Sequence, residues 1–307
     1  MSGRVVFLVN PASAGGATGR RWPELAGRAA ALGLTGDALF SEQPAHLREL
    51  AYEAASSGAA LLVAVGGDGT VNEVANGLVE ANRAGASELA IIPRGTGGDF
   101  VRTFGIPTSL EAAVQVALEG RSRAVDVGLV EYHGWAGGVD RSRFVNIASA
   151  GMSGAVAQRT NEATRAPLGG RVAYLWSTLA VFARWRNCRV EVDVDGERRS
   201  GPMYDVIVAN GRYLAGGMKM CPQAEPDDGL FDVLLIGDVT KLDLVRTMPR
   251  IYRGTHLPHP KAELLRGAAV SVEAEVPLPV ELDGEQPGTT PARFHVEAGA
   301  LRLRVPA

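Results

Sequence analysis

Three glycines and an aspartate crowd five positions of this 307-residue chain, Gly66-Gly67-Asp68-Gly69-Thr70, directly after an apolar run at 61–65. Glycine lets the backbone turn sharply and approach a ligand that any Cβ would hold off. Thr70 is placed to cap a helix predicted over 71–82, whose first amides would point at whatever occupies the turn. The pentapeptide reads as a phosphate cradle that carries a carboxylate, and it is not a P-loop, because no Gly-Lys-Ser/Thr follows. A carboxylate beside phosphates is repulsive unless a metal bridges them or it faces the acceptor, so Asp68 is a candidate for either role. A plain turn aspartate is the alternative. Asp283 and Glu285 flank Gly284 in a second predicted turn. Two carboxylates so close favour one raised pKa, which suits proton abstraction. The competing reading of Asp-Gly-Glu is a structural hairpin.

The elements needed to position these residues are legible in outline. Strands are predicted at 4–9, 37–41, 61–65, 89–92 and 124–128, with helices over 22–32, 45–56, 71–82 and 110–118 between them. Such alternation predicts a doubly wound parallel sheet, in which ligands gather at the carboxyl ends of the strands. Small-residue turns follow three of these strands, at 10–16, 66–70 and 93–100, so all three belong on one edge of the sheet. Their convergence is more specific than any one of them.

After residue 128 the texture changes to short strand-like runs at 144–148, 189–194, 203–209, 230–236, 269–273, 280–282 and 293–296. Asp195-Gly196, Asp228-Gly229 and Asp283-Gly284 supply turn signals between them. Helices are predicted over 155–165, 171–185 and 241–252. The pattern predicts an α/β nucleotide-binding domain at 1–128 and a mostly antiparallel β domain at 129–307. A last strand at 300–305 could pair with either.

Composition fits a globular enzyme, with 46% hydrophobic and 21% charged residues. A net charge of −3 makes no case for nucleic acid as a partner. Lysine occurs only at 219, 241 and 261, so phosphate chemistry would rely on backbone amides, arginine and metal. Cys188 and Cys221 lack metal or redox spacing, which points to a reducing cytoplasm. A strand begins within four residues of the start, leaving no room for a signal peptide, and no run of about 18 apolar residues is present.

The motifs together resemble the bacterial diacylglycerol kinase and YegS-like lipid kinase family, related to sphingosine and ceramide kinases. The resemblance spans Val9-Asn10-Pro11, the Gly66 turn with Asn72 and Glu73, Gly95-Thr96 through Asp99-Phe100, and Asp126-Val127-Gly128. It continues through Asn146 to Gly151, Pro226-Asp227-Asp228-Gly229-Leu230-Phe231-Asp232, and Asp283-Gly284-Glu285. Gly-Gly-Asp-Gly-Thr alone is shared with NAD kinases and similar to a phosphofructokinase turn; the two downstream acidic motifs single out lipid kinases. The resemblance implies an NAD-kinase-like and phosphofructokinase-like first domain, a β-sandwich second domain, and the cofactors ATP and Mg²⁺.

It further implies that amides of Gly66, Gly67, Asp68, Gly69 and Thr70, with the turn of Asn10, Pro11, Ala12, Ser13 and Ala14, hold the phosphates. Asn72 and Glu73 belong to the same nucleotide motif. Ser41, where a pair of threonines is common, and Thr96 would add hydroxyl contacts. The catalytic base would be Glu285 or Asp283, and Asp126 would join an acidic, water-linked network around magnesium. Asp228, with Glu225 and the carbonyl of Leu230, would form a structural Mg²⁺ site of hard oxygen ligands. One departure stands out: Gly98 replaces the asparagine usual before the aspartate of the third turn.

The segment 141–189 holds eight arginines against one acid, Glu162, with Trp176, Phe182 and Trp185 near a helix end. Basic charge with interfacial aromatics could rest on anionic lipid; a solvated face over core aromatics is the alternative. The reading is a cytoplasmic, ATP- and Mg²⁺-dependent lipid kinase that meets its lipid peripherally at the membrane surface, a homodimer being one open state. An NAD-kinase-like enzyme with a soluble acceptor and a non-catalytic nucleotide or lipid sensor are the rivals.

Overall fold

The computed structural model describes residues 3–81, 87–95, 97–164 and 181–307. The chain divides into two compact units. Unit 1 comprises Met1–Val127, Ala215–Gly217 and Ala298–Ala307; unit 2 comprises Gly128–Leu214 and Met218–Glu297.

Unit 1 alternates β1 (Val5–Val9), α1 (Ala17–Ala31), β2 (Asp37–Phe40), α2 (His46–Ser56), β3 (Leu61–Gly66), α3 (Asp68–Ala81), β4 (Glu88–Pro93), α4 (Asp99–Thr103) and α5 (Leu110–Glu119). All pairings among β1 to β4 are parallel, in the order β4-β3-β1-β2. The whole of β3 is buried, as an apolar run with a helix on each face requires. Alternation along the strands turns Phe7, Val9, Val63 and Val65 toward α1 and α5, with Leu25, Ala29, Val114 and Ala117. Their neighbours Leu8, Leu62 and Ala64 are equally buried and face the other way, on the side of α2 and α3. Because β1 pairs with both β2 and β3, the chain reverses direction across the sheet there. Such a switch point opens a crevice at the strand ends, here at Asn10 and Gly66.

Several predicted boundaries move, two of them at candidate site residues. Helix α3 begins at Asp68, two residues before the predicted cap, so Thr70 lies buried in its first turn instead of capping it. β5 runs over Arg121–Gly134, far past the predicted 124–128, and Asp126 lies inside it.

Unit 2 is built from antiparallel strands: β6 (Val139–Phe144), β7 (Ile147–Gly151), β8 (Cys188–Val194), β9 (Glu197–Met203), β10 (Asp205–Ala209), β11 (Phe231–Ile236), β12 (Ala262–Gly267), β13 (Ala269–Ala274), β14 (Pro279–Leu282) and the start of β15 (Glu285–Val305). Helix α6 (Met152–Thr164) follows β7, and α7 (Lys241–Arg253) follows β11. One row runs β12-β11-β10-β7-β14-β15, and β13 joins β15 to the β8–β9 hairpin. Phe144 stacks on Phe231 at 5.6 Å between ring centroids and meets Phe294 edge-on at 6.2 Å, at the centre of the core.

The single strand predicted at 144–148 is two, β6 and β7, separated at Val145-Asn146. β9 and β12 escaped prediction; Glu-Arg-Arg-Ser-Gly-Pro-Met shows no apolar alternation because β9 pairs on one side only. The stretches predicted at 293–296 and 300–305 belong to one strand, β15, whose Leu303 pairs in parallel with Leu89 of β4. Most of the helix predicted at 171–185 lies outside the described residues. No helix among the described residues is long and apolar enough to cross a membrane.

Candidate active site

The three turns of unit 1 are fastened to one another. Asn10 ends β1; its Nδ2 donates to Thr70 Oγ1 at 3.1 Å, while its Oδ1 accepts from the Ala12 amide at 3.0 Å. One side chain thus orders its own turn and ties it to the start of α3. Ser13 closes that turn, donating to the Asn10 carbonyl at 2.9 Å while its Oγ lies 2.7 Å from Thr18 Oγ1 in a second hydrogen bond. The second and third turns meet backbone to backbone. A Cβ on Gly95 would lie 2.6 Å from the Gly67 Cα, and one on Gly66 would lie 2.2 Å from Thr70 Oγ1. Both positions require glycine for close approach.

Asp68 makes the remaining link. Its Oδ2 accepts from the Gly98 amide at 2.8 Å and its Oδ1 from the Phe100 amide at 3.2 Å, so it satisfies donors at the start of α4. Gly98 has φ 68°, in the left-handed region. The neighbouring Asp99 is buried, and burial raises its pKa; its Oδ2 accepts from the Gly216 amide at 2.7 Å and its Oδ1 pairs with Arg102 at 2.9 Å.

These turns enclose a cavity of about 710 Å³, floored by Gly66, Gly67, Gly95, Gly97 and Gly98 and walled by Asp68, Arg94 and Arg102. Glycine backbone on the floor and two guanidinium groups on the wall make it suited to a phosphate-bearing ligand. Arg94 Nε is buried with no hydrogen-bond partner among the described residues, a donor awaiting an acceptor. Neither arginine was singled out from sequence, although Arg94 sits within the third turn and was the signal available.

The other nucleotide candidates scatter around this cavity. Ala14 lines it, while Pro11 and Ala12 serve the Asn10 turn. Ser41 follows β2, its amide on the Val9 carbonyl at 3.0 Å, at the same sheet edge but outside the lining. Gly69 lies in the first turn of α3. Asn72 accepts from Asn76 along α3. Glu73 accepts from the Leu47 amide at 3.1 Å, supplying the cap that Ala45, at φ 64°, cannot give α2, and burial raises its pKa. Thr96 lies outside the described residues. Asp126 is buried in β5 and accepts from the Gly299 amide at 2.7 Å, away from the cavity lining.

In unit 2 the Asp-Gly-Glu motif is a two-residue hairpin turn between β14 and β15. Asp283 (φ 49°) and Gly284 (φ 96°) both take the left-handed conformation such turns demand. The Asp283 carboxylate accepts from three amides, Val145 at 2.8 Å and Asn146 and Ile147 at 3.0 Å each. It therefore pins the break between β6 and β7. Glu285 leads β15 with its side chain exposed.

Sequence reasoning missed a third acid, Glu281, on β14 two residues before the turn residue Asp283. It is buried opposite Ser149 of β7, accepting from Ser149 Oγ at 3.0 Å and from the Gly284 amide at 2.6 Å. Burial pushes its pKa up to about 8, with Asp283 and Asp205 adding to the effect. Asp205, pushed by burial to about 6, accepts from Ser153 Oγ at 2.5 Å and the Ser153 amide at 2.9 Å at the start of α6.

Around the predicted metal turn, Asp228 Oδ1 accepts from the Leu230 amide at 3.0 Å and Oδ2 pairs with Arg266. Arg266 Nε also lies 3.6 Å from Asp232. Burial raises the Asp232 pKa, and Asp228 and Glu225 raise it further. Asp232 Oδ1 is buried with no partner among the described residues. The Asp228 carboxylate is thus engaged on both oxygens, and among the described residues the unpartnered Asp232 Oδ1 beside it is the atom on this turn open to a hard cation. No group of three or more His, Cys, Asp or Glu side chains suited to a metal occurs among the described residues.

In the basic segment, Arg141 pairs with Glu131 and Arg143 with Glu297, and Trp185 packs against the unit 2 core. These side chains are engaged within unit 2. Arg165, Arg171 and Trp176 lie outside the described residues, and nothing of the Arg159 side chain is described.

A parallel sheet with glycine turns gathered at one edge, followed in the chain by an antiparallel β unit, defines a two-unit α/β protein. Comparison with known proteins narrows the class. The diacylglycerol kinase catalytic domain model matches residues 4–130, and the YegS C-terminal NAD kinase beta sandwich-like domain model matches 146–305. The chain is 36% identical over 260 residues to a Pseudomonas aeruginosa protein named "Probable lipid kinase YegS-like", covering 85% of this chain and 81% of that one. It is 30% identical over 234 residues to the diacylglycerol kinase of Staphylococcus carnosus, covering 76% and 72%. Its fold is similar to that of a diacylglycerol kinase from Bacillus anthracis, with a TM-score of 0.71 at 20% identity over 98% of this chain and 96% of that one. Yeast NADH kinase shares the fold more distantly, with a TM-score of 0.54 at 11% identity over 98% and 82%. The chain belongs to the diacylglycerol kinase and YegS lipid kinase family of enzymes.

Proposed function

We propose that this chain transfers the γ-phosphoryl group of ATP, entering as its Mg²⁺ complex, to the hydroxyl of a diacylglycerol-like lipid. The observation that carries this reading is the unit 1 cavity, where glycine backbone and the Arg94 and Arg102 guanidinium groups surround space for a polyphosphate. Phosphoryl transfer needs positioning, positive charge on the phosphates and a group to receive the hydroxyl proton. Amides of the Asn10 and Gly66 turns supply the first, with Ser41 and Thr96 as further contacts of the nucleotide. Arg94, whose Nε has no protein partner among the described residues, supplies charge together with Arg102.

Glu285 is the proposed base. It is an exposed residue at the head of β15, whereas the Asp283 carboxylate accepts three amides that protonation would weaken. Asp283 therefore positions the turn from which Glu285 projects. Asp68 holds the third turn in place beside the phosphates, and Asp126 braces β5 through the Gly299 amide. A structural Mg²⁺ on Asp228, Glu225 and the Leu230 carbonyl would lend the Asp227-Asp228 turn rigidity and takes no part in the transfer.

Incubation with ATP labelled at the γ-position and a panel of hydroxyl lipids tests the reading. A labelled lipid is expected. Measurable Mg-ATP binding with no label on any lipid would overturn it in favour of a sensor, and label on a soluble acceptor alone would favour an NAD-kinase-like enzyme.

A further inference from the structure

Helix α7 is held to unit 2 by one narrow face. Leu244 and Ile251 are buried and Thr247 is half-buried between them. A capping box between Thr240 and Asp243 fixes its start, and Lys261 also takes Asp243, at 3.3 Å. At roughly 100° per residue, the next sector round the helix carries Met248, Tyr252, Val245 and Leu242. These four face solvent, at 40%, 52%, 61% and 55% exposure. Beyond them lies a row of Arg253, Arg246 and Arg250, all exposed, and Lys241 stands at the N-terminal end. Four of the five charged side chains of α7 are therefore basic, and the one acid is engaged in the cap.

Single exposed apolar residues are ordinary, but four in one sector of a 13-residue helix form a patch. An apolar sector edged by arginines matches the boundary of an anionic bilayer. The apolar side chains reach the acyl region while guanidinium groups rest on lipid phosphates, and Tyr252 suits the headgroup level. A second copy packed antiparallel on this face fits less well, because the two-fold axis would set the arginine rows of both copies side by side.

We propose that α7 is the face on which this chain docks to anionic lipid bilayers, lying in the interface with Leu242, Val245, Met248 and Tyr252 inserted. The lipid-kinase reading guides only the choice of partner; the surface is a separate assignment, with a test that needs no turnover. The full chain is floated, without ATP, with vesicles of phosphatidylcholine alone or mixed with phosphatidylglycerol. Wild type is expected to bind the mixed vesicles far better. Arg246→Glu with Arg250→Glu, and separately Val245→Asp with Tyr252→Asp, should each weaken that binding about tenfold or more. Melting temperatures should not change, because all four side chains are exposed. Should the aspartate pair perturb folding, Val245→Ser with Tyr252→Ser carries the same expectation. Binding of the variants equal to wild type overturns the proposal. So does a dimer that the aspartate pair converts to monomer while vesicle binding persists, since α7 would then join two copies. A chain that binds vesicles through α7 yet transfers no phosphate leaves the docking face standing and sinks only the kinase reading.

Discussion

The Gly98 amide donates to Asp68 Oδ2 at 2.8 Å. The acidic member of the second glycine turn is therefore also what fastens the third, and the backbone that donates this bond is left-handed, with φ 68°. A glycine there is a conformational requirement met in the least restrictive way. The asparagine usual in the family is the side chain that tolerates the same region best.

Substitution at this position separates conformation from contact. A Cβ on Gly98 would sit 3.3 Å from Val101 Cγ2, close enough to need a shift of only a few tenths of an ångström. Gly98→Asn is expected to leave the fold intact and to change the KM for ATP by roughly tenfold or less, about one hydrogen bond to a charged group. Gly98→Val should destabilise by about 1–2 kcal/mol in urea unfolding, the cost of a left-handed branched residue. A valine variant as stable as wild type would contradict the left-handed backbone.

The two acids of the hairpin turn should part company. Asp283→Asn turns an NH₂ toward backbone amides, and is expected to cost about 1–3 kcal/mol of stability, with activity falling alongside. Glu285→Gln, at an exposed position, should leave the unfolding curve unchanged and lower the rate by about 10²-fold or more. A Glu285→Gln enzyme near wild-type rate would remove it as the base.

Glu281 predicts a pH dependence. Between its ordinary 4.5 and about 8 the folded chain keeps this proton and the unfolded chain releases it. The unfolded state binds fewer protons, so this group's contribution lowers stability as pH rises through that window. Asp205 acts with the same sign between 3.8 and about 6. Glu281→Gln removes the larger contribution, so the urea midpoint of the variant relative to wild type should climb steadily from about pH 5 to about pH 8. A pH-independent difference would show that Glu281 ionises freely in the fold.

At Asp228 the test is calorimetric. Ions that bind only the native state raise its melting temperature by mass action. Mg²⁺ without nucleotide should raise the melting temperature of wild type, and Asp228→Ala should lose that response while still binding ATP. Identical melting with Mg²⁺ and with chelator in wild type would reject the metal site and leave Asp228 paired with Arg266.

The elements of unit 1 were legible because β3 is apolar throughout and the turns after β1, β3 and β4 are rich in small residues, signals carried by a few neighbouring positions. What escaped depends on partners distant in sequence. Glu73 resembles part of a nucleotide motif until the uncapped start of α2 at Ala45 is seen to need it. Asp283 stands out as a reactive acid, yet its three amide donors lie more than 130 residues earlier. Glu281 was invisible because a strand ending Val-Glu-Leu reads as half-exposed, and only the burial of Ser149 opposite it places the carboxyl in the interior. α4 is five residues long, too short for any periodic signal, and is held by Asp68 and not by its own sequence.

The central claim is that the unit 1 cavity presents ATP for transfer to a lipid hydroxyl. Its most direct measurement is the initial rate of label transfer from γ-labelled ATP to diacylglycerol, for wild type, Arg94→Ala and Glu285→Gln, each over a range of Mg-ATP concentrations up to saturation. Wild type should produce labelled phosphatidic acid, Arg94→Ala should need more ATP to saturate, and Glu285→Gln should bind ATP normally but transfer at about 10⁻² of the wild-type rate or less. Equal rates for all three, or no labelled lipid from a wild type that binds Mg-ATP, would contradict the account.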